Sequence, residues 1–359
     1  SVLAAEGAVL FLERVSPALE HVDSSSGSIG TAVNNAIAEL VPVIADAPAD
    51  DKTREAWLER LFEAHAADQI PYIERLADDW GELCASKEVA SRWADRLLGI
   101  TEMAFSQDKT LRGHFHGTTA CLTALYRAAR FDEIVALVPR DAIWSYKRWV
   151  AKALAAKGLR LEAIEYAEAS RSPWASDRDI DAICEDALLA SGMIEEAYER
   201  YSLGANRRAT YLATFRAVAD KYPHKPAATV LGDLVKTTPG DEGKWFAAAK
   251  DAGLYDEAIE LAKRTPCDPK TLARAARDHV EEKPAFAIGA GLLALYWIGQ
   301  GFGYDITSSH VLEAYRALMS AAESMGIGTE TTARVREIAV TAPSPDRFLA
   351  RVLGRELRL

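Results

Sequence analysis

The sequence predicts an all-α chain built as a stack of helical hairpins, and three patterns carry the prediction. Alternation of β-branched with polar residues never lasts beyond a few positions, so strands find no footing. Alanine is spread throughout, as close helix packing requires. The third pattern is a recurrence. Counting from Ala129, Gly158, Gly192 and Gly253, the residues two, five, six and nine places on are Phe131, Ile134, Val135, Val138; then Arg160, Ala163, Ile164, Ala167; then Ile194, Ala197, Tyr198, Tyr201; then Tyr255, Ala258, Ile259, Ala262. These are i, i+3, i+4, i+7 positions, so each turn launches an amphipathic helix whose stripe a neighbour must cover.

The elements follow in order from turn signals. A first helix is expected over 5–22, ending before Asp23-Ser24-Ser25-Ser26-Gly27-Ser28, whose hydroxyls and glycine suit a loop that breaks one helix and caps the next. Further helices are expected at 31–45, 53–67, 71–84, 87–105 and 115–129. Pro71 and Pro284 are placed at helix starts, where a missing N–H leaves nothing unpaired. The four hairpin turns lie 29, 34 and 61 residues apart, so the last gap holds one eroded unit near Tyr222-Pro223-His224-Lys225-Pro226. Leu125, Leu154, Leu188 and Ala249 stand four residues before the turns and are expected to meet the following helix. Longer helices are expected at 284–300, 307–326, 329–342 and 345–357, as a cap on the array. Three regions result: an acidic helical region 1–110, hairpin repeats 111–283 and a helical cap 284–359.

The segment Gly253-Leu254-Tyr255-Asp256-Glu257-Ala258-Ile259-Glu260-Leu261-Ala262, closed by Asp268-Pro269, resembles the second half of a tetratricopeptide repeat, and 158–166 and 192–198 are looser versions. This resemblance implies a TPR-like α-α superhelix, an irregular solenoid rather than a regular array. The N-terminal pattern Phe11-Leu12-Glu13-Arg14-Val15 followed by Leu19 through Gly30 is similar to the start of an uncharacterised bacterial helical-repeat family in which a "DDSSGSVG"-type loop ends a helix. Ser24 replaces the usual second Asp, which weakens any cation site in the loop. This second resemblance implies helical repeats and a bacterial origin and names no reaction.

Composition narrows the function classes. With 49% apolar residues and only 14 Pro, the chain is of the folded kind. No apolar run reaches the ~18–20 residues that cross a bilayer, and nothing resembles a signal peptide, so a soluble, cytoplasmic protein is expected. The chain starts at Ser1, the start expected of a trimmed protein or of a piece of a longer one. Cys84, Cys121, Cys184 and Cys267 lie 37, 63 and 83 residues apart without a CxxC pair and are expected as buried thiols in a reducing compartment. Residues 1–110 hold 20 Asp/Glu against 9 Lys/Arg, a net of −11 that equals the whole chain's charge. That region repels phosphate backbones and suits a basic protein partner.

No motif commits the chain to catalysis. Asp78-Asp79-Trp80-Gly81-Glu82 has the DDxxE form with which all-α prenyl-diphosphate enzymes hold magnesium, with Asp78 and Glu82 expected on one helical face, but no second metal-binding pattern follows. His114 and His116 form an HxH pair that needs non-helical backbone and a third ligand. Gly299-Gln300-Gly301-Phe302-Gly303 follows a helix rather than a strand, and GxSxG, GxxxxGK[ST] and HExxH do not occur. No catalytic residue, metal site or cofactor is assigned. Trp144, Arg148 and Trp149, with Tyr146 and Lys147 between them, and then Arg207, Arg208 and Tyr211, are the candidate partner-binding residues, being of the types that dominate interaction hot spots. The expected function is non-enzymatic binding of a protein or peptide through a solenoid surface. A metal-dependent enzyme using Asp78, Asp79 and Glu82 and a nucleic-acid-binding solenoid are the alternatives.

Overall fold

A computed structural model describes residues 1–23, 25, 27–106, 108, 110, 113–343 and 348–358. The described residues are helical with no strand, and they divide into two compact units, Ser1–Ala205 and Asn206–Leu359.

The first unit runs α1 (Val2–Leu19), α2 (Ser28–Ala45), α3 (Asp51–Ala66), a 3-10 turn (Glu74–Ala77), α4 (Trp80–Leu83), α5 (Lys87–Ala104), α6 (Thr118–Arg127), α7 (Phe131–Leu137), α8 (Trp144–Ala156), α9 (Arg160–Glu168), α10 (Asp177–Ala190) and α11 (Ile194–Ala205). Its larger core gathers Leu12, Ile37, Trp57, Trp80, Trp93 and Leu125, and a second core gathers Trp144, Ile180, Leu188 and Tyr201. Two of the buried indoles are tied off at their polar ends: Trp57 Nε1 donates to Glu6 at 2.6 Å and Trp93 Nε1 to Glu55 at 2.7 Å. Arg54 is buried beneath the C-terminus of α2 and donates to the carbonyls of Ile44, Ala45, Ala47 and Leu83.

Three expectations change here. The helix expected over 71–84 is broken into the 3-10 turn and the one-turn α4, and Pro71 starts no helix. The hydroxyl-rich loop does not cap α2 with a side chain; Gly27, at φ +70°, is the N-cap, while Ser24 and Ser26 lie outside the described residues. Helix α2 also corrects the hydropathy expectation. Its 18 residues are apolar enough, by length and composition, to cross a membrane, and only 22% of them are buried, in the stripe Val33, Ile37, Val41 and Ile44.

The second unit runs α12 (Tyr211–Lys221), α13 (Ala227–Lys236), a 3-10 turn (Glu242–Trp245), α14 (Phe246–Asp251), α15 (Tyr255–Arg264), α16 (Pro269–Asp278), α17 (Pro284–Gly299), α18 (Ser308–Ser324), α19 (Gly328–Thr341) and α20 (Phe348–Leu357). Helix α17 begins on Pro284 as expected and is buried nearly all round, so it forms the heart of this unit. The helix expected to begin at 345 is described from Phe348 onward; residues 345–347 lie outside the described residues.

The four predicted hairpin turns share one geometry. Ala129, Gly158, Gly192 and Gly253 all have positive φ, between 60° and 84°. In each, the next N–H bonds back five residues, Arg130 to Leu125 O, Leu159 to Leu154 O, Met193 to Leu188 O and Leu254 to Ala249 O, at 2.9–3.0 Å. The apolar residues four places before each turn therefore supply the carbonyl that closes it. The fifth and ninth positions after each turn are buried in every copy, whereas the second is only partly covered or exposed, and Val135 at the sixth is exposed. The second position is the first helical residue of each following helix; the fifth and ninth form one i, i+4 ridge. A fifth copy escapes the apolar pattern: Gly326 has φ +73°, Ile327 N–H bonds to Ala322 O at 2.9 Å, α19 starts two residues on, and Thr331 and Val335 are buried. The eroded unit is also a helical hairpin, α12 to α13, turning around the buried Tyr222.

Candidate functional site

In the first unit the break between α3 and α4, the non-helical residues 113–116 and the start of α8 enclose a cleft of about 560 Å³, in the range of small-ligand sites. Helix α3 places His65 at its last turn, and the chain then turns through Asp68 and Pro71 into the 3-10 turn, which contributes Glu74, Arg75 and Asp78 at its end. His114, Phe115 and His116 form the next wall, and Ile143, Ser145, Tyr146 and Arg148 the one after it. Asn34 of α2 closes the rim. Sequence candidates drawn from three unrelated motifs thus meet in one place.

Each wall is held by specific bonds. The hydroxyl of Ser16 donates to Asp68 Oδ1, and Ile73 N–H donates to Oδ2 at 2.8 Å, so this carboxylate pins the loop after α3 to α1. His65 Nε2 lies 3.3 Å from Glu74 O. Its ring centroid is 5.9 Å from that of His116, which also meets Phe62 at 5.5 Å and Phe115 at 5.2 Å. Burial pushes the His65 proton affinity below the usual histidine range, and partial burial followed by the neighbouring imidazoles does the same to His116. Tyr146 packs edge-on to Phe105 at 5.2 Å, and burial, reinforced by Glu74, raises its phenol.

Arg148 of α8 pairs with Asp78, donates Nε to Ser145 O at 3.0 Å and lies 5.5 Å over the Trp149 ring. Asp79 stands 3.9 Å from Arg75, and burial raises its pKa against that attraction. The expected Asp78/Glu82 face is not formed, because Asp78 ends the 3-10 turn while Glu82 sits exposed in α4 beyond a non-helical Asp79. Of the DDxxE set only Asp78 lines the cleft. A third histidine, His65, stands beside His116 of the HxH pair, yet among the described residues no three His, Cys, Asp or Glu form a metal-ligand set.

The aromatic candidates need correction. Trp144 and Trp149 are core side chains, each 7% exposed, and both indole N–H groups are buried without a partner among the described residues. They support the walls from behind rather than offering a face. Lys152 stacks 4.3 Å from the other candidate ring, Trp149, and burial, with Arg148, lowers its pKa. In the second unit Arg207 and Arg208 are exposed, with Arg208 N–H donating to Thr214 at 2.9 Å. Tyr211 there is tied down, its hydroxyl donating to Asp241 at 2.6 Å and its ring meeting Trp245 edge-on at 4.7 Å. The four cysteines are free and buried, and burial raises Cys84 and Cys267 to about 12 and Cys121 and Cys184 to about 11.

His65 and Glu74 are among the cleft residues that the sequence did not connect to His114, His116, Asp78 and Arg148. No local spacing relates positions 65 and 116, so only the packing of α3 on residues 113–116 reveals the pair. Comparison with protein-family models, with curated proteins and with solved structures returns no match for this chain.

Proposed function

We propose that the chain is a non-catalytic helical-repeat protein, an irregular tetratricopeptide-like solenoid of α-hairpins, that recognises a segment of another protein in the cleft of its first unit. One observation carries this reading. The amide of Asn34, the carboxylate of Glu74, the imidazole of His114 and the hydroxyls of Thr119 and Tyr146 all line the cleft, and none makes a side-chain hydrogen bond among the described residues. Donors and acceptors left unspent side by side suit a peptide, whose backbone offers both in alternation. Arg148 is paired with Asp78, 70 positions away in the sequence, which is the way a wall is braced rather than the way a base is freed. The thiols are protonated by burial and unsuited to attack.

The test is selection of a random heptapeptide phage library on the immobilised full chain. An enriched motif is expected, with binding lost in Tyr146→Ala and His114→Ala. A library that yields no enriched peptide, or one whose peptides bind both variants unchanged, sinks the reading.

A further inference from the structure

We infer that the cleft takes a basic side chain, lysine or arginine, of a partner protein's peptide segment, and that an adjoining apolar lobe takes the apolar side chain beside it. The inference deepens the peptide-binding proposal and rests on it.

The first ground is the state of His65. Its side chain lines the cleft yet the residue is only 8% exposed. The nitrogen that meets Glu74 O must carry the hydrogen, since a carbonyl only accepts. In the neutral ring Nδ1 is then a lone pair, with no hydrogen-bond donor assigned to it among the described residues. An acceptor at the cleft wall that no protein donor reaches is free to take a ligand N–H. Burial keeps this ring neutral, so it does not repel a cation near pH 7.

The second ground is charge. Asp78 cancels Arg148, and Asp79 cancels Arg75, leaving Asp68 and Glu74 as the uncompensated charges of the cleft. Glu74 is exposed and has no hydrogen bond to its carboxylate among the described residues. The surrounding residues 1–110 have a net charge of −11, which draws cations and disfavours an anionic ligand. Tyr146 and Phe115 add aromatic rings to the same lining, residue types that favour ammonium and guanidinium groups.

The third ground is the second lobe. A pocket of about 370 Å³ shares His114, Phe115, Ile143 and Tyr146 with the cleft and continues along Phe105 and Ala142. Its lining is mostly apolar, so an isolated small cation would leave it unfilled while a neighbouring Leu or Phe side chain would bury itself there.

The test uses the full chain and fluorescein-labelled hexapeptides in a Gly/Ser background carrying Lys-Leu, Glu-Leu or Lys-Ser at the centre, read by anisotropy. The Lys-Leu peptide is expected to bind about tenfold tighter than either other, a step of one decade in Kd. At exposed positions and with unchanged melting curves, Glu74→Gln is expected to remove most of the preference over Glu-Leu, and Ile143→Asp most of the preference over Lys-Ser. Equal binding of Glu-Leu and Lys-Leu, or full preference retained in Glu74→Gln, overturns the basic ligand while leaving peptide recognition standing. Spermidine that binds as tightly as the Lys-Leu peptide overturns the peptide source. If the phage selection also returns no peptide, the failure belongs to peptide recognition itself.

Discussion

His65 and His116 stand 51 positions apart in the chain and 5.9 Å apart between ring centroids, with both imidazoles held below their ordinary pKa. The unfolded chain therefore takes up protons that the folded one refuses. Stability from this pair is complete above the unfolded histidine pKa of about 6.5 and declines as the pH falls through and below it. The urea midpoint is expected to drop between pH 7.5 and 5.5, above the range where most carboxylates titrate. His65→Gln should flatten that drop, and a slope identical to the parent's would contradict the assignment.

The recurring hairpin turn contains its own control, because one copy has Ala129 where the others have glycine. An added Cβ at Gly158, Gly192 or Gly253 meets nothing within 4 Å, so only backbone conformation is at stake. Gly192→Ala is expected to destabilise by about 1 kcal/mol, and Ala129→Gly to be neutral or to stabilise by up to about 1 kcal/mol. Denaturant melts of the two variants check the opposite signs.

Arg54 caps α2 from inside the core. Its guanidinium spans four carbonyls at 2.8–3.3 Å, two of them in the last turn of the helix. Arg54→Met leaves those oxygens buried and unpaired and should destabilise by roughly 3 kcal/mol or more. Arg54→Lys should recover only a small part, because one ammonium lacks the planar fork. A calorimetric melt within a degree or two of the parent would remove this role.

Gly81 lets α4 touch α6. Its N–H donates to Thr123 Oγ1 at 3.2 Å, and a Cβ there would overlap the Thr123 carbonyl. Gly81→Ala is expected to destabilise by about 2 kcal/mol, and Thr123→Ala to leave a milder defect. The ratio of the two melting shifts reads the overlap separately from the lost hydrogen bond.

How much was legible depends on whether the deciding interaction is local. The hairpins at Ala129, Gly158, Gly192 and Gly253 could be read because a left-handed turn and an i, i+4 ridge are written within a dozen residues. The copy at Gly326 was missed because a buried threonine occupies its fifth position. The break at 71–84 was missed because Ile73 and Asp79 leave the helical conformation while their neighbours keep an apolar periodicity. Trp144 and Trp149 illustrate a different gap: an aromatic beside an arginine has the same composition whether it faces a partner or a core.

By itself the sequence determined that the described chain is helical, where its hairpins turn and that its acidic charge lies within residues 1–110. Only the tertiary structure decided that His65, Glu74, Asp78, the 114–116 segment and Arg148 share one cleft. Helix and turn formation follow from contacts a few residues long, which spacing encodes. The cleft arises where α3, residues 113–116 and α8 meet, and proximity across fifty or seventy residues is set by how whole elements pack.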